Sequence, residues 1–156
     1  MHRASKVREI VVVKKQVIYR AANSAKMLEG LVDQSEVPGL TGPSPMCIKA
    51  GNHVYITGQT GLTLEGELRH PYDAAAQTRL ACENIKTLME MAGGTMNDIV
   101  RYVLYTTDRA YRASVYPIFR SYFDLPPCGT GLIVVGLARP ELVVEIDCWA
   151  FIDDPD

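Results

Sequence analysis

The 156-residue sequence has no apolar run approaching the roughly 20 residues that a membrane helix requires, which excludes a helix-spanning protein. It has no basic excess either: 16 Lys and Arg stand against 18 Asp and Glu, for a net charge of -2. Without a basic footprint over the chain, nucleic acid is not an expected partner. The four cysteines, Cys47, Cys82, Cys128 and Cys148, form no C-x-x-C pair, and no histidine stands at ligand spacing from another. No metal site and no cofactor are therefore expected. Ile10–Val13 is too short for the apolar region of a secretory signal, so reduced thiols in a cytoplasmic protein are the expectation.

What is present is an ordinary globular composition. Apolar residues make up 47%, charged residues 22%, and mean hydropathy is +0.01. A chain of this length buries about two-thirds of its unfolded surface, enough for one domain with a full core. Its charge is uneven. Residues 1–20 carry six basic residues against one acid, Glu9, and the remainder is acidic. A mitochondrial transit segment shares that charge bias, but REIVVVKKQVIYR reads as a strand or solvated arm.

Ile10–Tyr19 is β-branched and strand-like, Ala21–Leu28 suits a short helix, and Val37–Pro45 (VPGLTGPSP) is a loop before the main body. Cys47–Ala50 and His53–Gly58 form a predicted hairpin across Gly51-Asn52. Tyr72–Met91 has helical periodicity, with Ala81, Ile85, Leu88 and Ala92 on one face and Gly93-Gly94 as the stop. Asp98–Thr106 is β-rich, and Tyr111–Phe123 is a second helix. Leu132–Leu137 reads as a buried central strand, and Leu142–Ile152 as the last one. The order β-β-α-β-α-β-β, after the arm, predicts an α+β fold: a mixed sheet with two helices on one face. Two helices cannot cover both faces, so the other is expected to meet further copies of the chain.

The last strand carries the most chemistry. Val144, Ile146, Cys148 and Ala150 point one way; Val143, Glu145, Asp147, Trp149 and Phe151 point the other. Glu145 and Asp147 are thus neighbours, roughly 7 Å apart by strand rise. Two close carboxylates raise each other's pKa, which suits a general acid or base; the same spacing also suits a solvated, salt-bridged rim. Cys128, in LPPCGTG, is expected in a tight loop, either as a nucleophile beside anion-binding amides or as an inert thiol. Thr57, near the end of the second strand of the hairpin, and Gln59, just after it, either line a pocket or close a turn. Arg139 suits bidentate carboxylate binding or a solvated loop.

Val54–Gly61 (VYITGQTG), Gln77 with Glu83-Asn84-Ile85, Asp98–Val100, Tyr105–Asp108 (YTTD), Tyr122-Phe123 and Leu137–Ala150 (LARPELVVEIDCWA) stand in an order and spacing that resembles the RidA/YjgF family of reactive-intermediate deaminases. The resemblance implies a chorismate-mutase-like α+β fold and a homotrimer with its sheets inward and clefts between subunits. It divides the chain into a basic extension, residues 1–41, and a RidA/YjgF-like domain, residues 42–156. It also implies hydrolysis of small enamines and imines to 2-keto acids and ammonia, without a cofactor. The family's water-positioning glutamate is Glu145. Its serine before Gly-Gln is Thr57, its second-helix asparagine falls on Tyr116, and its Gly-Pro-Tyr-Ser tyrosine falls on Ser44. The carboxylate-binding arginine of its Pro-Ala-Arg-Ser/Thr motif is replaced in Pro127-Cys128-Gly129-Thr130 by Gly129, or by Thr130 in another register.

The expected catalytic residues are Glu145 and Cys128. Thr57, Gln59, Tyr116, Gly129, Thr130 and Arg139 are the expected substrate-binding residues. A fixed-charge clamp is not supplied by Gly or Thr, so either the substrate lacks that carboxylate or Arg139 or Arg101 reaches it. The expected function is an imine or enamine deaminase with an altered small-molecule substrate. The alternatives are a non-catalytic metabolite-binding trimer and a hydrolase that uses Cys128 as its nucleophile.

Overall fold

A computed structural model describes residues 15–20 and 45–153. Six strands and two α-helices run in the order β1 (Lys15–Arg20), β2 (Pro45–Ala50), β3 (His53–Gln59), α1 (Ala74–Met91), β4 (Ile99–Thr106), α2 (Arg112–Arg120), β5 (Cys128–Ile133) and β6 (Val144–Phe151). The expected helix over 21–28, the loop before residue 45, Ser44 and the Ile10–Lys14 part of the first strand lie outside the described residues.

The hairpin turns where the sequence places it. Gly51 adopts a φ of 59°, and Ala50 pairs with His53 across the turn. α1 begins at Asp73, whose side chain accepts from the Ala76 N–H at 2.9 Å. It ends at Gly93, with φ 87°, and the Gly94 N–H donates to the Met89 carbonyl at 2.9 Å. Ala81, Ile85 and Leu88 are fully buried on its inner face.

The strands form one sheet in the order β1-β2-β3-β6-β4-β5, antiparallel except for the β4–β5 pair. The parallel pair needs a crossover, which α2 supplies. Both helices pack on one sheet face. There Cys47, Val54, Ile56, Leu104, Val144, Ile146, Cys148 and Ala150 meet α1, Val115 and Phe119 in a single core. Tyr55, Leu132 and Phe151 lie on the other face and are 45%, 43% and 42% exposed. β6, inserted between β3 and β4, places Glu145 and Asp147 near the middle of that open face.

Four expectations need correction. Leu132–Leu137 is not a buried central strand: the strand is Cys128–Ile133, it lies at the sheet edge, and Val135 beyond it is fully exposed. The strand is rich in glycine for a steric reason. A Cβ on Gly129 would overlap the Tyr102 ring, and one on Gly131 would overlap the Tyr116 hydroxyl. Cys128 accordingly opens a strand instead of sitting in a tight loop. Val143 precedes β6 and is 3% exposed, so it does not share the outward face of Glu145. The second helix ends at Arg120, and Tyr111 belongs to a preceding 3₁₀ turn.

Candidate active site on the open sheet face

The register fixes which side chains meet on the open face. Tyr105 pairs with Glu145, Val103 with Asp147 and Arg101 with Trp149 across β4 and β6. Across β4 and β5, Arg101 pairs with Cys128 and Val103 with Thr130. On the other side of β6, Tyr55 pairs with Trp149. Directly paired residues share a face, so these side chains form one patch.

A bulge shapes its centre. Ile56 pairs with Cys148 and Gln59 with Ile146, so β3 spends one residue more than β6 between the two pairs. The extra residue falls at Thr57-Gly58, opposite Asp147. A Cβ on Gly58 would overlap the Glu145 carboxylate, lying 2.6 Å from its Cδ and 2.8 Å from its Cγ. The glycine therefore lets the carboxyl group lie against the β3 backbone. Thr57, exposed beside the bulge, lines a depression of about 260 Å³ with Tyr55, Asp147 and Trp149.

Burial, and then the nearby Asp147 charge, hold the Glu145 carboxyl above the usual carboxylate range. Asp147 is also pushed up by burial, partly offset by the Tyr105 hydroxyl, which donates to its Oδ2 at 3.0 Å. Among the described residues no hydrogen bond reaches the Glu145 carboxylate. This arrangement gives a carboxylate that exchanges a proton more readily near neutral pH than a solvated one.

Not every expected site residue joins the patch. Thr57, Thr130 and Cys128 share the open face with Glu145. Cys128 is exposed, and its thiol donates to the Val100 carbonyl at 3.1 Å. Gln59 is buried, its Nε2 donating to the Thr57 carbonyl at 2.9 Å, so it braces the bulge. Gly129 and Tyr116 lie on the helix face, where the Arg112 guanidinium stacks 4.7 Å from the Tyr116 ring centre. Of the two registers open for the β5 motif, only Thr130 faces the Glu145 side. Arg139 lies in the β5–β6 loop, 3.6 Å from Glu141; its Nε and the Glu141 Oε2 are buried without a partner among the described residues.

The site residues to which sequence reasoning gave no role are Tyr105 and Gln77. Tyr105 stands in the YTTD segment, but only the β4–β6 register shows that it reaches Asp147. Gln77 is fully buried: its Nε2 donates to the His70 and Glu141 carbonyls at 2.9 and 2.7 Å, and its Oε1 accepts from the Val143 N–H at 2.9 Å. It thereby ties α1 to the segment that leads into β6. Burial pushes the Cys47 thiol up to about 11 and Cys82 up to about 12, and raises Cys148 as well, so these three stay protonated core residues. Among the described residues, no three His, Cys, Asp or Glu side chains are grouped so as to hold a metal ion.

A mixed sheet with both helices on one face, and a carboxylate pair on the other, defines a class that known relatives specify further. The family described as endoribonuclease L-PSP matches residues 38–152. A 3-aminoacrylate deaminase RutC of Acinetobacter baylyi is 31% identical over 109 residues, 70% of this chain and 86% of that protein. The crystal structure of RidA from the Antarctic bacterium Psychrobacter sp. superposes with a TM-score of 0.64 at 35% identity, covering 71% of this chain and 89% of that one. E. coli TdcF with bound serine superposes with a TM-score of 0.65 at 26% identity, covering 72% and 90%. The chain belongs to the RidA/YjgF family.

Proposed function

We propose that this protein is a deaminase that hydrolyses small imines, including those formed from enamines, and that it works as a homotrimer with the open sheet faces turned inward. The observation that carries the reading is the Glu145 carboxylate, half-buried against Gly58 and raised in pKa at the centre of the open face. The deaminase name of the A. baylyi relative and the bound serine of TdcF, a small amino acid, support the substrate class. The exposed Tyr55, Leu132 and Phe151 support burial of the face between copies.

In this mechanism Glu145 takes a proton from a water molecule as its oxygen attacks the imine carbon. The C=N double bond becomes a single bond, giving a carbinolamine. Glu145 returns the proton to the nitrogen and then carries the carbinolamine hydroxyl proton to the same nitrogen, so that the C–N bond breaks as the C=O bond forms and the products are a carbonyl compound and ammonia. A carboxyl group poised between its two protonation states serves both halves of the cycle. Thr57, beside the bulge, offers a hydroxyl to orient substrate or water. Two carboxylates in the middle of the face disfavour a phosphate backbone, which argues against RNA as the substrate.

The reading is tested with purified protein and 2-iminopropionate generated in situ. Expected results are ammonia release faster than the uncatalysed rate and a trimer mass by sedimentation. A panel of small imines with no acceleration would contradict the deaminase reading, and a monomer at micromolar concentration would contradict the assembly.

A further inference from the structure

The helix layer carries a groove that the open-face chemistry does not use. It lies between α1 and the end of α2, has a volume of about 420 Å³, and is lined by Arg79, Glu83, Pro117, Ile118, Ser121 and Tyr122. Small-molecule sites usually enclose about 300–1,000 Å³. Both helices pack on the sheet face opposite Glu145, so an assembly with its open faces turned inward leaves this groove in solvent.

Arg79 and Glu83 stand one turn apart on α1, a spacing that puts about 6 Å between Cβ atoms. Opposite charges at this spacing ordinarily pair, although arginine before glutamate is the weaker order. Among the described residues, Arg79 forms no ion pair and no hydrogen bond. Tyr122 accounts for the separation: its hydroxyl donates to Glu83 Oε1 at 2.7 Å and holds the carboxylate toward the end of α2. Burial, and then that hydrogen bond, push the Tyr122 hydroxyl above the usual tyrosine range, and the Arg79 charge offsets them only in part. The hydroxyl therefore stays a donor, and Glu83 stays turned toward it. Ser121 spends its hydroxyl proton on the Ile118 carbonyl at 2.7 Å. What the groove leaves unspent is a guanidinium, one carboxylate oxygen a turn away, and an apolar wall of Pro117 and Ile118.

We propose that this groove binds a free α-amino acid with an apolar side chain, its carboxylate on Arg79, its ammonium on Glu83 and its side chain against Pro117 and Ile118. An α-amino acid carries both charges on one carbon, which matches two opposite charges one helical turn apart. The guanidinium presents a planar fork to the carboxylate. The Glu83 oxygen that Tyr122 does not use accepts from the ammonium. An acid without the amine gains Arg79 but is repelled by Glu83, and an amine without the acid meets the reverse, so the pair selects zwitterions. The site stands apart from the deaminase reading, because the sheet separates it from Glu145.

Calorimetry tests it with three probes: L-leucine, 4-methylpentanoate, which lacks the amine, and 3-methylbutylamine, which lacks the carboxylate. The proteins are the wild type, Arg79→Ala, Glu83→Gln, Tyr122→Phe and Glu145→Gln, each checked by circular dichroism and thermal melting. The wild type is expected to bind leucine and to bind each single-charge analogue at least tenfold more weakly. Arg79→Ala and Glu83→Gln are each expected to weaken leucine at least tenfold. Tyr122→Phe frees Glu83 to turn to Arg79 and is expected to weaken leucine as well. Glu145→Gln, on the opposite sheet face, is expected to bind leucine as the wild type does. Absence of binding by the wild type at millimolar leucine overturns the inference, as does an analogue that binds as tightly as leucine. Unchanged binding by folded Arg79→Ala also overturns it, and so does loss of binding in Glu145→Gln, which would put leucine on the open face.

Discussion

The Tyr105 backbone is paired with Glu145, but its hydroxyl crosses to the next carboxylate and donates to Asp147 Oδ2 at 3.0 Å. One residue therefore touches the environment of both acids. Its hydrogen bond favours the charged form of Asp147, and that charge in turn lifts Glu145. Asp147 and Tyr105 act as positioning residues for the proposed base.

Asp147→Asn removes the neighbouring charge while keeping the hydrogen-bonding shape. At about 7 Å separation, with a dielectric between that of water and an effective value of 20, the interaction corresponds to between about 0.4 and 1.7 pH units. The acid limb of the pH–rate profile is expected to move to lower pH by that order, with the plateau rate retained within a few-fold. An unmoved limb with a collapsed plateau would show that Asp147 touches the chemistry directly.

Glu145→Gln bears on stability as well as activity. The folded pKa of Glu145 is raised, so the native state holds the proton more tightly than the unfolded chain. In the window between the ordinary and the raised value the unfolded state binds fewer protons, and stability falls as pH rises. Above the raised value the charged carboxyl is a standing cost. The neutral amide avoids it, so Glu145→Gln is expected to melt higher than wild type at pH 8 and to lose that advantage as pH falls below the ordinary glutamate value. A constant difference across that range would exclude this explanation.

Gly58→Ala tests the seat of the carboxylate. The φ of Gly58 is not in the left-handed region, so the backbone tolerates alanine and the cost comes from the Cβ meeting Glu145. A folded protein, weaker by about 1–3 kcal/mol, with kcat lowered at least tenfold is expected. Denaturant unfolding and imine turnover measure the two effects, and unchanged turnover would detach Glu145 geometry from the reaction.

Gln77→Ala tests the buried support behind β6. It leaves the His70 and Glu141 carbonyls and the Val143 N–H without their amide partner. Expected destabilisation in urea is about 2–4 kcal/mol, from unsatisfied polar groups plus a cavity. A loss below about 1 kcal/mol would mean that water replaces the side chain at little cost.

Much of the fold is legible in the sequence because its local signals agree with its packing. The Gly51-Asn52 turn, the apolar stripe of α1 and the alternation of β6 each follow from short-range chemistry. β5 is hidden for the opposite reason. Its CGTGLI segment has weak strand propensity, and only the Tyr102 and Tyr116 rings lying over Gly129 and Gly131 explain it. The apolar run beyond it drew the strand prediction toward residues that are exposed in this chain. Glu145 and Asp147 are visible as a pair from spacing alone. The Tyr105 partner is not, because a register 42 residues away in sequence brings it there. Tyr116 illustrates the remaining gap: a helix position gives no indication of which sheet face it will meet, and this one meets the face opposite Glu145.

The most direct measurement is ammonia release from 2-iminopropionate by the wild type and by Glu145→Gln, with both proteins shown to be folded and in the same assembly state. The account predicts a rate clearly above the uncatalysed one for the wild type, and a loss of at least about 100-fold for Glu145→Gln, as expected on removing a general base. Equal rates for the two proteins would contradict it.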